Sequence, residues 1–198
     1  SMGVIITASH NPPSYNGYKL EGGHGGPLIP EEVQEVEDLI PAEHRIDLAS
    51  IDLAKAKKEG LLKDINLEDM YVEHVEKNFD LATSRKSGLR LGYDAMYGAG
   101  QNVVPRILPE AKLLHCDYNP SFKGQAPEPI HKNLLPFSEM IKAKKLDCGL
   151  ATDGDADRIG LYNAKGEFVD SHHIILLLMH CLVKYKKYTG KVVVATST

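Results

Sequence analysis

Residues 147–158 read DCGLATDGDADR, and the order of residue types in this stretch decides the fold. A short apolar run, 147–152, has the length of a strand. It stops where three aspartates alternate with small residues, at Asp153, Asp155 and Asp157. Short apolar runs bounded by turn signals predict buried strands. In open sheets with parallel strands, ligand-binding groups collect at the carboxyl ends of the strands. The stretch therefore predicts a buried strand that carries a charged loop to one rim of a sheet.

Upstream residues supply the rest of that sheet. A strand is expected at 89–96 (LRLGYDAM), then a glycine turn, a helix at 100–109 and a strand at 112–118 (KLLHCDY). A loop containing PSFKGQAPEP leads to a helix at 137–146 and so to 147–152. Strand, helix, strand, helix, strand is the order of a parallel sheet with right-handed crossovers. Residues 159–163 and 167–169 flank Lys165-Gly166 and predict a hairpin on the sheet edge. Asn66 opens a long helix, with Asn66 and Asp69 as a capping box and Leu67, Tyr71, Val75 and Phe79 as its apolar stripe.

The flanks are less regular. Strands are expected at 3–8 and 18–21, a flexible glycine loop at 22–27, and a helix at 31–40 with Val33, Val36, Leu39 and Ile40 on one face. Residues 41–64 predict a loop with one short helix, linking to a second unit. Ser171 is expected to cap a helix running to about Tyr188, followed by a strand at 191–197. The apolar run in that helix, IILLLMHCLV at 174–183, is about half of the ~20 residues that span a membrane, and predicts a buried helix. Ser1-Met2 resembles a cloning scar, and both ends fall in strand-like sequence, so a piece of a longer protein is expected.

Composition excludes several classes. The 198 residues are 42% hydrophobic and 25% charged, as in folded globular chains. A net charge of -4 argues against nucleic acid as a partner, and no membrane association is expected. The 3 cysteines, Cys116, Cys148 and Cys181, form no C-x-x-C pair and are expected as buried, reduced thiols in a cytoplasmic protein.

Three carboxylates within five residues repel one another unless a cation sits among them. Oxygen donors alone favour a hard ion such as Mg²⁺. An EF-hand loop requires glycine at its sixth position and glutamate at its twelfth; here those places hold Arg158 and Ala164. A solvated acidic turn is the plain alternative, and the strand-end position argues against it. Arg158 cannot ligate a metal but suits a carboxylate or a phosphate.

A second stretch, TASHNP at 7–12, puts Ser9, His10 and Asn11 ahead of Pro12-Pro13. No G-x-S-x-G elbow is present, and a Ser-His neighbour pair is not a triad. A serine that carries a phosphoryl group needs instead a divalent cation, positive groups and an acid/base for the accepting hydroxyl. Lys19 and His10 are the candidates for the proton. Taken alone, Ser9 reads as a turn residue.

Together, TASHNPPSYNGYK (7–19) and DGDADR (153–158) resemble the phosphoserine and metal-binding loops of the α-D-phosphohexomutases, the phosphoglucomutases and phosphomannomutases. YDAMYGAG (93–100) and PEPIHKNL (127–134) match in order as well. The resemblance covers nearly the whole chain. It implies an α/β fold in which 65–166 form a complete second domain, a three-layer unit with a parallel or mixed sheet. Residues 1–64 would be the end of a first domain and 167–198 the start of a third. It implies catalytic roles for Ser9, His10, Lys19 and Arg158, and Mg²⁺ on Asp153, Asp155, Asp157 and a Ser9 oxygen. It also implies a hexose 1- or 6-phosphate substrate, with hexose 1,6-bisphosphate as intermediate and activator. TAS and YNGYK are closer to the glucose and mannose members than to the glucosamine members, which tend to read SAS and DNGIK. The stretch by itself is expected to lack turnover. Rival readings are a phosphoglucosamine mutase, a metal-dependent phosphatase that does not use Ser9, and a chain that self-associates through its unpartnered N-terminal strand.

Overall fold

The computed structural model describes residues 2–43 and 46–193. Its centre is a five-stranded sheet in the order β4-β3-β5-β6-β7. Strands β3 (Leu91–Asp94), β4 (Lys112–Leu114) and β5 (Cys148–Thr152) run parallel; β6 (Ile159–Asn163) and β7 (Phe168–Val169) complete it antiparallel. The sheet is therefore mixed, with the expected hairpin on one edge.

Helix α6 (Leu135–Lys144) covers one face. Phe137 and Ile141, one turn apart, pack with Leu134, Leu146, Met96, Ala151 and Tyr162 into the main core. Two glycines make this approach close. A Cβ at Gly149 would stand 2.5 Å from Ile141 Cδ1, and one at Gly92 would stand 2.9 Å from Leu146 Cδ1. Pro136 occupies the first turn of the helix, where its missing N–H costs nothing. The helix ends on Lys145 in the left-handed region at φ 52°.

The opposite face carries α3 (Leu67–Asn78), the short α4 (Leu81–Lys86) and α5 (Val104–Ile107), completing three layers. Their contact joins Val72 and Val75 to Val103 and Ile107. The predicted stripe is thus corrected: Leu67, Tyr71 and Phe79 are exposed, and the buried residue is Val72. Four-residue spacing drifts around the helix, and the partner is short, so only one turn is covered. Asn66 caps α3 by accepting the Asp69 N–H at 3.1 Å. Asp69 answers the Asn66 side chain, not its backbone, so half of the expected capping box forms. The helix expected at 100–109 is a 3₁₀ turn (Ala99–Gln101) followed by α5. The strand expected at 112–118 stops at Leu114, because His115 turns left-handed at φ 48°.

In the N-terminal segment β1 (Gly3–Ile6) pairs antiparallel with β2 (Tyr18–Glu21). Helix α1 (Pro30–Glu37) stops short of Leu39 and Ile40, and α2 (Leu53–Lys58) is the short helix of the linking segment. Past the sheet, α7 (Ser171–His180) is capped by the Asp170 carboxylate, which accepts the His173 N–H at 3.0 Å; Ser171 is its first residue, not its cap. It continues as a π turn at Cys181–Tyr185. The run at 174–183 is not buried: Leu176, Leu177 and Leu178 are more than half exposed, because among the described residues no other element covers them. Cys181 is exposed too, whereas Cys116 and Cys148 are half-buried, and burial pushes both of these thiols up. Lys191 to Val193 form no strand, and the rest of the strand expected at 191–197 lies outside the described residues, as does Ser1. Among the described residues no helix is long and apolar enough to cross a membrane.

Candidate active site

The two loops singled out in the sequence meet. The first leaves β1, which the Thr7 N–H prolongs by bonding to the Gly17 carbonyl at 3.1 Å. Asn11 N–H closes a turn on Ala8 O at 2.9 Å, and Ser9 sits at its apex with φ 53°. An L-residue rarely holds that conformation without support. Thr7 provides it: its Oγ1 accepts the Ser9 N–H at 2.8 Å. The same hydroxyl donates to Asp155 Oδ2 at 3.1 Å, tying the serine loop to the acidic one.

The second loop begins where β5 ends. Asp153 Oδ1 accepts the Arg158 N–H at 3.0 Å, and Ala156 N–H bonds to Asp153 O at 3.1 Å, so the loop folds back on its first residue. From below, Ala99 N–H grips the Gly154 carbonyl at 2.9 Å. Gly154 is the contact point with the first loop: a Cβ there would stand 2.2 Å from the Ser9 carbonyl oxygen.

This packing brings Ser9 Oγ to 3.4 Å from both Asp153 Oδ2 and Asp155 Oδ1. Oxygens of Asp153, Asp155 and Asp157 lie within 4.8 Å of one another. Asp153 is fully buried, Asp155 half-buried and Asp157 exposed. Burial, above all, pushes the Asp153 carboxyl up; the Arg158 N–H works against this, while the neighbouring charges of Asp155 and Asp157 add to it. Local positive charge is modest: Lys19 Nζ stands 3.8 Å from Asp155 Oδ2, and Arg158 Nε 4.0 Å from Asp157 Oδ1. A buried carboxylate crowded by two others, with a hydroxyl at the same point, is an all-oxygen donor set that fits a hard divalent cation. His10 Nδ1 lies 3.4 Å from Ser9 Oγ and touches the Arg158 guanidinium. Facing that permanent donor, Nδ1 acts as an acceptor and the ring proton sits on Nε2.

Every predicted site residue thus falls in one cluster: Ser9, His10 and Lys19 from the hairpin, and Asp153, Asp155, Asp157 and Arg158 from the strand end. Sequence reasoning missed Thr7, Gly154 and the turn at Gly98-Ala99. Thr7 had a readable signal, since a threonine two residues before a tight turn commonly bonds the backbone there. The role of Gly154 depends on a chain segment far away in sequence, and nothing local announces it.

Comparison with known proteins places this geometry. Residues 1–46 match the family model for the phosphoglucomutase/phosphomannomutase α/β/α domain I, and residues 69–166 that for domain II. A phosphopentomutase of Thermococcus kodakarensis is 32% identical over 202 residues, covering 99% of this chain and 42% of its own length. A phosphoglucomutase/phosphomannomutase of the same organism is 32% identical, covering 92% of this chain and 40% of its own length. A solved structure from Thermus thermophilus, assigned as a phosphomannomutase, superposes with a TM-score of 0.78 at 30% identity, over 94% of this chain and 41% of that one. The chain therefore spans about two fifths of the length of the relatives it matches. With two adjoining domain models matched in order and the serine and aspartate loops folded into one cluster, the chain belongs to the phosphoglucomutase/phosphomannomutase family.

Proposed function

We propose that this chain supplies the phosphoserine loop and the metal-binding loop of a cytoplasmic sugar-phosphate mutase acting on hexose 1- and 6-phosphates. The observation that carries the reading is the 3.4 Å approach of Ser9 Oγ to both Asp153 and Asp155. Residues 3–64 would close a first domain, 65–166 form the second and 167–198 open a third. Asp153, Asp155, Asp157 and a Ser9 oxygen would hold one Mg²⁺, which when bound offsets negative charge on the transferring phosphoryl group.

Ser9 gives its phosphoryl group to a free sugar hydroxyl: the serine O–P bond breaks, a sugar O–P bond forms and a hexose 1,6-bisphosphate results. Return of the other phosphoryl group to Ser9 completes the isomerisation. The hydroxyl proton goes to Lys19, which stands 3.8 Å from Asp155, or to His10, which stands 3.4 Å from Ser9 Oγ. Arg158, beside His10, pairs with phosphoryl oxygens. TAS and YNGYK favour glucose and mannose substrates. Similar proteins carry names from phosphopentomutase to phosphoglucosamine mutase. Turnover is expected from the longer protein, since relatives are more than twice this length.

The test uses the complete protein and a coupled assay with glucose 1-phosphate and mannose 1-phosphate. Ser9→Ala should cut interconversion by at least about 10³-fold with the fold intact, as expected for loss of a covalent nucleophile. Unchanged interconversion would remove the phosphoserine role; release of inorganic phosphate without interconversion, in wild type and variant alike, would leave the acidic loop as the centre of a metal-dependent phosphatase.

A further inference from the structure

One buried carboxylate has no part in the phosphoryl chemistry. Asp94 closes β3 and is 1% exposed. Its Oδ1 accepts the Met96 N–H at 2.8 Å, and its two oxygens lie 3.0 and 3.1 Å from His115 Nδ1. With the carboxylate accepting Nδ1–H and fixing the ring, Nε2–H of the protonated imidazole is the donor left for a ligand. His115 lines a cavity of ≈ 140 Å³ between the turn at 96–97 and the loop at 122–127.

Two features set this cavity apart. Met96, Tyr97, His115, Phe122 and Lys123 in its wall all hold left-handed backbone, with φ between 47° and 62°. Such conformations persist only where the surroundings enforce them, and they gather at ligand sites; Ser9 and Ala156 of the candidate active site are left-handed as well. The cavity wall also contains no carboxylate, while His115 and Lys123 are its basic side chains. Lys123 Nζ lies 5.0 Å from the centre of the Tyr97 ring, which itself lies 4.7 Å from the His115 ring. Tyr97 therefore touches both basic side chains of the cavity.

We propose that this cavity binds a small free oxyanion of phosphate size, held by His115 Nε2 and Lys123 Nζ, at a place separate from the Ser9 centre. A cavity of ≈ 140 Å³ has room for an isolated phosphate. Pro127 is shared between the cavity wall and the acidic loop, where it stands 3.1 Å from the point a Gly154 Cβ would occupy.

Inorganic phosphate is the probe. It is titrated into isotope-labelled chain at fixed pH and ionic strength, with chloride as control, while the His115 imidazole resonances are followed. A saturable phosphate-specific shift is expected. It should persist in Arg158→Gln, which removes a phosphate partner from the Ser9 centre. It should weaken by about tenfold or more in Lys123→Gln, as for loss of a charge-assisted hydrogen bond; Lys123 is exposed, so that variant keeps its fold. A His115 signal that does not move, that moves equally with chloride, that is lost in Arg158→Gln, or that titrates alike in Lys123→Gln would overturn the proposal.

Discussion

Gly154 lacks a side chain at a point where a side chain would push Ser9 away. The two loops touch backbone to backbone there, and Thr7 locks the contact by serving Ser9 N–H and Asp155 with a single hydroxyl. Gly154→Ala must part the loops, because the obstacle is a carbonyl and not a flexible side-chain tip. We expect it to destabilise the chain by about 1–3 kcal/mol, the usual range for overpacking, and to weaken Mg²⁺ binding in the same protein. Urea denaturation and calorimetric titration check the two effects. Wild-type values for both would mean that the loops do not need this approach. The chemistry-bearing residues at this scale were readable from the sequence, since hydroxyl, imidazole and carboxylate declare themselves by type and spacing. The residues that hold them in place were not, since their partners lie up to 148 positions away.

At the scale of the element, strand β5 and the β6–β7 hairpin were legible because apolar runs bounded by turn residues have few other solutions. Helix faces were harder to read. The stripe on α3 was assigned to Leu67, Tyr71, Val75 and Phe79; the packing keeps Val75, adds Val72 and leaves the other three exposed. The apolar run of α7 reads as buried and lies open. Strand β1 presents a similar case: it pairs on one side only, with β2, and Val4, Ile5 and Ile6 are each about half exposed. An unpaired apolar edge recruits another strand. We infer that the isolated chain self-associates through β1. Sedimentation velocity should show a species heavier than monomer that grows with concentration, and Ile5→Lys should shift the balance toward monomer. A monomer at every concentration would end this inference.

Over the whole molecule, the three-layer core carries a pH signature. Burial, chiefly, pushes the Tyr93 and Tyr162 hydroxyls up to about 12. Tyr93 is also bonded to Thr152 Oγ1 at 2.7 Å and Tyr162 to His131 Nδ1 at 2.9 Å. The Thr152 bond pulls the Tyr93 hydroxyl back down, and burial outweighs it, so both tyrosines favour the neutral phenol in the fold. Their contribution is complete below the ordinary tyrosine range near ~10 and is lost as pH rises through about 12. Ultraviolet titration should show two tyrosines ionising late, together with unfolding by circular dichroism. Early ionisation of these two would contradict the packing of the core.

The amino-acid sequence by itself determined the order of strands and helices, the family, and the chemical types that gather at the site, because all three are written in local spacing and side-chain identity. Only the tertiary structure decided which helix faces are covered, that Ser9 meets the aspartates across a glycine, and that Asp94 holds His115 against a second cavity. Those outcomes depend on distances between segments remote along the chain, and close packing, not local preference, sets such distances.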